Sequence, residues 1–119
     1  MEYIIALIFP FILLLIEIFF PYPYLIEELF KFYLAKKAET TKIAIILGVF
    51  FSFSEAIFYF LNPIYFLDIG LSFLRFAVVT AMHITTILVM RYFARKDNLW
   101  PIGLLLAFTI HYIFNIQSI

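Results

Sequence analysis

Cysteine is absent from the sequence, and charged residues are scarce: Lys, Arg, Asp and Glu together make up 13% of the 119 residues. The lack of cysteine excludes disulfide frameworks, thiolate zinc sites and cysteine nucleophiles, so any catalysis has to use oxygen or imidazole groups. A soluble domain of this size carries charge on about a quarter of its residues. Because 66% of the residues are hydrophobic and 22% are aromatic, we expect an integral membrane protein.

A stripe of basic residues is also missing. The eight Lys and Arg residues balance eight Asp and Glu residues, so the net charge is zero, and a chain without a basic surface does not attract nucleic acid. No lysine or arginine precedes Lys31. The apolar amino-terminal segment therefore lacks the basic region of a signal peptide, and we expect it to be kept as a membrane segment.

The hydrophobic segments predict the fold class. About 18 to 20 apolar residues are needed for a helix to cross a bilayer, and prolines and charged residues separate such segments along this chain. We predict an all-α fold over a single domain, 1–119, namely a polytopic transmembrane helical bundle of four to five helices. Its segments are expected at about residues 3–20, 24–38, 43–61, 69–90 and 101–117. The segment 24–38 is short and polar, and it either crosses the membrane, re-enters it or lies along its surface.

Lysines and arginines between the segments predict the orientation, because positive residues near span ends are retained in the cytoplasm. Lys36, Lys37 and Lys42 precede the third segment, and Arg91, Arg95 and Lys96 follow the fourth. We therefore expect a multi-pass cell-membrane protein whose basic loops are cytoplasmic and whose carboxyl terminus lies outside. The amino terminus is outside with four spans and inside with five.

Ionisable residues of four different segments are expected at one depth in the membrane. At the helical rise per residue, Glu28, Glu55, His83 and His111 all lie roughly 12 to 18 Å from the cytoplasmic ends of their segments. Each such group costs about 2.5 to 3.5 kcal/mol near the bilayer centre unless it finds a polar partner. The four residues are therefore expected to face one another, which also favours a 24–38 helix that enters the membrane.

Spacing within the segments indicates which side chains share a face, because residues three or four apart are neighbours on a helix. Glu27 and Glu28 lie within one turn of Lys31, so we expect one carboxylate to pair with the ammonium while the other stays free as a general base. His111 and Asn115 could direct two donors at a developing oxyanion. Polar stripes are also expected on the third and fourth segments, at Ser52, Glu55, Tyr59 and Asn62, and at Ser72, Thr80, His83 and Thr86.

Four short motifs occur in order between residues 25 and 115. They are EExxK at Glu27, Glu28 and Lys31; FxxxE at Phe51 and Glu55; an arginine eight residues before a histidine at Arg75 and His83; and HxxxN at His111 and Asn115. With these motifs the chain resembles the PrsW proteases, within the superfamily that includes the CAAX prenyl proteases and bacteriocin-immunity membrane peptidases. CAAX-type members have EExxxR and FxxxH, whereas this chain has Phe32 and Glu55 at those positions.

The resemblance implies an intramembrane peptidase that hydrolyses a peptide bond of a membrane-anchored protein or peptide. Glu27 or Glu28 would activate a water that His83 also holds, and His111 with Asn115 would stabilise the oxyanion. Glu55 would complete the water site or orient His111, with Lys31 and Arg75 in supporting roles. Alternatively, Glu28, Glu55, His83 and His111 could bind zinc and leave one position open to water. We favour the mechanism without a metal cofactor.

Other interpretations of the same residues remain open. Glu27, Glu28 and Lys31 could form the solvated face of an interfacial helix. Aligned carboxylates and histidines also occur in proton relays and small transporters, and the chain could be a catalytically silent relative that binds membrane partners. The expected partners are the lipid bilayer and a membrane-anchored substrate, and a homo-oligomer would help so short a chain enclose a site.

Overall fold

The computed structural model describes residues 1–61 and 67–117, without the side chains of Leu14, Glu17, Phe58 and Tyr59. The predictions that concern Tyr59 and Asn62 lie outside the described residues. Within them, the chain forms five α-helices and no strand: α1 Glu2–Glu17, α2 Pro23–Lys37, α3 Thr41–Leu61, α4 Ile69–Ala94 and α5 Trp100–Gln117. The expectation of an all-α fold is confirmed.

Prolines and caps explain where several helices begin and end. Helix α1 ends at Glu17, before the predicted residue 20, because Pro21 has no N–H to donate to the Glu17 carbonyl. Pro23 occupies the first turn of α2, where a missing donor costs nothing. Asp68 caps α4, since its Oδ1 accepts a hydrogen bond of 2.9 Å from the Leu71 N–H, as acidic and amide side chains do at helix N-termini.

Helix α4 continues to Ala94, past the predicted end at residue 90. Arg91 and Arg95 do not end this helix, because both bind the turn that joins α2 to α3. Arg91 Nε and one Nη of Arg95 each lie 3.0 Å from the Ala38 carbonyl oxygen. The two guanidinium groups thus satisfy carbonyls that the end of α2 leaves unpaired.

Consecutive helices run in opposite directions, with α2 at the centre of the bundle. Helix α2 contacts each of the other four helices. The Ser54 hydroxyl of α3 donates to the Leu7 carbonyl of α1 over 2.5 Å, while the rings of Phe32 in α2 and Trp100 in α5 lie 5.6 Å apart. The ends of α2 and α4, the starts of α3 and α5, and the start of α1 therefore lie at one end of the bundle.

Two of the described helices, α4 and α5, are long and apolar enough to cross a membrane. The apolar part of α1 over Glu2–Leu13 is shorter.

Helices α3 and α4 approach closely at Gly48, where an added Cβ would lie 2.9 Å from the Ile84 Cα. This contact brings Glu55 and His83 towards each other across the interface between the two helices.

Candidate functional site

A buried lysine forms the centre of a polar cluster inside the bundle. Lys31 is fully buried on α2, where its ammonium is bonded to Glu28 Oε1 and lies 3.0 Å from Glu27 Oε1. The same Nζ lies 2.9 Å from His83 Nδ1 and 3.4 Å from the Thr86 hydroxyl, both on α4. A buried ammonium is tolerated only with such partners, because desolvation of a charge costs several kcal/mol. We call Glu27, Glu28, Lys31, Glu55, His83 and His111 the polar cluster.

The sequence expectation that one of the two glutamates stays free is wrong. Glu27 and Glu28 both lie against the Lys31 ammonium, because neighbouring positions three and four residues before a lysine can both reach it on one helix face. Two of their oxygens, Glu27 Oε1 and Glu28 Oε2, are buried without a hydrogen-bond partner among the described residues. Glu27 Oε1 still faces the Lys31 ammonium at 3.0 Å, whereas Glu28 Oε2 has no described polar partner. A buried oxygen of this kind requires an explanation, such as a bound water.

His83 connects the lysine to the carboxylate of α3. Its Nε2 lies 2.6 Å from Glu55 Oε2, and its Nδ1 faces the Lys31 ammonium. An ammonium can only donate, so Nδ1 accepts, and the imidazole hydrogen lies on Nε2, which donates to Glu55. The contacts therefore assign His83 as a neutral imidazole with one defined tautomer.

His111 of α5 binds the other side of Glu28. His111 Nδ1 lies 2.6 Å from Glu28 Oε1, the oxygen that also accepts from Lys31. The ring of Tyr24 packs on this imidazole with centroids 5.7 Å apart. Two donors thus fix one oxygen of Glu28 and hold the carboxylate in one orientation, with Oε2 directed into the interior.

Phe51 packs against the cluster and gives the FxxxE motif a physical role. Its buried ring lies 5.6 Å from Lys31 Nζ and 6.0 Å from the His83 ring, measured to the centroid. A cation near an aromatic ring is stabilised, more so where water is excluded. Sequence reasoning assigned no role to Phe51 or Tyr24. The spacing of Tyr24 four residues before Glu28 was a signal that could have found it, since such residues share a helix face.

Two predicted site residues lie outside the polar cluster. Asn115 is exposed on α5, one turn beyond His111, because this part of α5 extends past the start of α2. Arg75 is half-buried on α4, about 12 Å along the helix axis from His83. Two cluster residues are partly exposed: the side chains of Glu55 and Glu27 are 27% and 14% exposed. They mark the side of the bundle from which the cluster can be approached.

The cluster does not assemble the four-ligand zinc set considered from the sequence. Ligand atoms of Glu27, Glu28 and His111 lie within 4.8 Å of one another, but Glu55 and His83 form a separate pair that Lys31 joins to them. A dication would have to sit beside the Lys31 ammonium, which repels it at short range. Glu28, Glu55, His83 and His111 are therefore not arranged as one four-ligand zinc site.

No protein-family model matches the sequence, and searches of curated proteins and of solved structures gave no significant match. The likeness to the PrsW proteases thus rests on the four motifs alone.

Proposed function

We propose that the chain is an intramembrane peptidase of the PrsW type, which hydrolyses a peptide bond of a membrane-anchored substrate with a water activated by Glu28. One observation carries the proposal: Lys31 and His111 fix Oε1 of the buried Glu28, while its Oε2 has no described partner. A carboxylate held in this way is pre-organised as a general base, since only one oxygen is left to bind and deprotonate a water.

All five helices cross the membrane in this proposal. The start of α1 lies beside Lys37 at the basic end of the bundle, so the amino terminus is cytoplasmic and the carboxyl terminus outside. Helix α2, with 15 residues, covers only about 22 Å. The central position of α2 compensates for its short length, because the other helices, rather than lipid, surround most of it.

The reaction can be written with the cluster residues. Glu28 Oε2 takes a proton from water, and the water oxygen attacks the carbonyl carbon of the peptide. His111, which lies against Glu28, is the residue placed to stabilise the oxyanion, which lowers the energy of the tetrahedral intermediate. When the carbon–nitrogen bond breaks, the proton on Glu28 passes to the leaving amine. Lys31 stabilises the carboxylate form of Glu28, and Glu55 orients His83.

The proposal uses no metal cofactor. The Lys31 ammonium supplies a positive charge between Glu27, Glu28 and His83, where a zinc ion would otherwise be expected to act on the water. A measurement distinguishes the lysine mechanism from a zinc mechanism. Activity that survives removal of divalent metals supports Lys31 as the source of the positive charge.

A proton relay is the second candidate function. Hydrogen bonds connect Glu55, His83, Lys31, Glu28 and His111 without a gap, and such chains conduct protons in membrane proteins. The relay lies at one level of the bundle rather than along its length, which favours the peptidase. Proton uptake into liposomes that contain the chain, driven by a potassium diffusion potential, distinguishes the two.

The proposed activity is tested with the purified chain in liposomes. The probe is a set of peptides with one apolar helix of about 20 residues and a fluorophore and quencher at its two ends. We expect cleavage by the wild-type chain and loss of cleavage with Glu28→Gln. The matched control is Glu39→Gln, which makes the same change at an exposed position. Equal turnover in all three chains would contradict the proposal.

A further inference from the structure

A cavity at the basic end of the bundle lies outside the polar cluster. It is a surface cavity of about 330 Å³ between α2, α4 and α5, lined by Phe32, Lys36, Ala94 and Trp100. Three of these four side chains are apolar, and the fourth is a lysine in the last turn of α2. The reaction proposed above does not use any of them.

Lys36 differs from its neighbours in its surroundings. The Lys37 ammonium lies 4.6 Å from the centroid of the Tyr33 ring, and the Lys96 ammonium lies 4.4 Å from that of Tyr92. Lys36 has neither an aromatic ring nor a carboxylate as a charge partner among the residues that the structure describes. Lys36 is exposed and therefore lies at the edge of the cavity without a described counter-charge.

The charge of the whole end is also positive. Six of the eight Lys and Arg residues of the sequence lie in or next to the two basic loops: Lys36, Lys37, Lys42, Arg91, Arg95 and Lys96. Aromatic side chains such as Trp100 are enriched at the level of lipid headgroups, where one part of the ring is wet and the other apolar. An anion with a hydrocarbon chain complements this cavity, because Lys36 supplies the cation and the rest of the lining is apolar.

We propose that this cavity binds an anionic phospholipid, with the headgroup phosphate on Lys36 and the first part of an acyl chain against Phe32 and Trp100. A free phosphate would gain only the single cation and would leave the apolar lining uncovered. The proposal rests on the membrane placement given under the proposed function, but not on peptidase activity. Lys36 is expected to contribute about fivefold selectivity for the anionic lipid, the factor that corresponds to ~1 kcal/mol per lysine near an anionic surface.

The single tryptophan of the chain reports on this cavity directly, because Trp100 is the only one in the sequence. The full-length chain is reconstituted in phosphatidylcholine bilayers in which either brominated phosphatidylglycerol or brominated phosphatidylcholine replaces the same small fraction of lipid. Bromine quenches indole fluorescence only at short range. We expect stronger quenching by the phosphatidylglycerol, with loss of this preference in Lys36→Gln and retention in Lys42→Gln, an exposed lysine at the same end.

The possible results separate the two proposals. Equal quenching by both brominated lipids in the wild-type chain overturns the lipid site, as does a preference that Lys36→Gln leaves intact. Absence of quenching by either lipid overturns the membrane placement and the lipid site together. A retained preference for phosphatidylglycerol in a chain that cleaves no peptide supports the lipid site and contradicts only the peptidase.

Discussion

Lys31 Nζ and His83 Nδ1 lie 2.9 Å apart although 52 residues separate them in the sequence. This contact joins α2 to α4, and it connects the two carboxylates of α2 to the Glu55–His83 pair. The polar cluster is therefore one unit rather than two separate pairs. Changes at Lys31 should affect both halves of it.

Replacement of Lys31 by methionine tests this unity. Lys31→Met keeps the length and apolar stem of the side chain but leaves Glu27 and Glu28 without a counter-charge. Removal of one partner of a buried ion pair typically costs about 3 to 5 kcal/mol. We therefore expect the free energy of unfolding to fall by this amount when denaturation in detergent is monitored by circular dichroism. Lys42→Met, at an exposed position, should change the stability by less than about 0.5 kcal/mol. Equal effects of the two changes would contradict a central role of Lys31.

The protonation of His83 gives a spectroscopic prediction. Lys31 and Glu55 together assign the hydrogen to Nε2 and leave Nδ1 as an acceptor. Nitrogen-15 spectra of the chain in detergent should show an unprotonated Nδ1 and a protonated Nε2 for His83 at neutral pH. Lys31→Met should abolish this fixed tautomer. An imidazolium signal for His83 in the wild-type chain would rule out the assignment.

Much of the site could be predicted from the sequence, because the expected depth of a side chain in the membrane follows from counting residues along its helix. The helical rise assigned one level to Glu28, Glu55, His83 and His111, and the contacts between Glu28 and His111 and between Glu55 and His83 agree with it. Counting also favoured a 24–38 helix that enters the membrane, which stays a prediction.

Other contacts of the site depend on how the helices cross, and they could not be derived from the spacing of residues along the sequence. Whether the Lys31 ammonium also reaches His83 depends on where α4 crosses α2. Asn115 shares a face with His111, but its exposure depends on where α2 starts. Arg91 was a plausible helix end in the sequence, and only the position of the α2–α3 turn shows that it binds the Ala38 carbonyl.

The close approach of α3 and α4 predicts an effect of Gly48→Ala. The added Cβ would lie 2.9 Å from the Ile84 Cα, so the helices have to separate. Overpacking of this kind costs about 1 to 3 kcal/mol, and peptide cleavage should fall because Glu55 and His83 move apart. At Gly70 the nearest atom to an added Cβ is the Asp68 Oδ1 at 3.4 Å. Gly70→Ala should therefore preserve both stability and cleavage, and a larger loss there than at Gly48 would contradict the packing argument.

Arg91 and Arg95, at the end of α4, are expected to set the position of α2. Arg91→Gln removes donors to the Ala38 and Glu39 carbonyls, so amide hydrogen exchange in the α2–α3 turn should accelerate. Cleavage should decrease as well, since α2 carries Glu28 and Lys31. The control is Lys96→Gln, which removes a charge at the same end from a side chain whose ammonium lies over the Tyr92 ring. Unchanged exchange in Arg91→Gln would show that the turn is held by other contacts.

The most direct measurement of the central claim is product analysis after metal removal. The purified chain is treated with a chelator, its zinc content is measured, and it is incubated with the anchored peptides in oxygen-18 water. Glutamate-driven hydrolysis predicts cleavage without zinc, with one oxygen-18 in the new carboxylate, and no product from Glu28→Gln. Cleavage that appears only when zinc is restored, or that persists in Glu28→Gln, would contradict it.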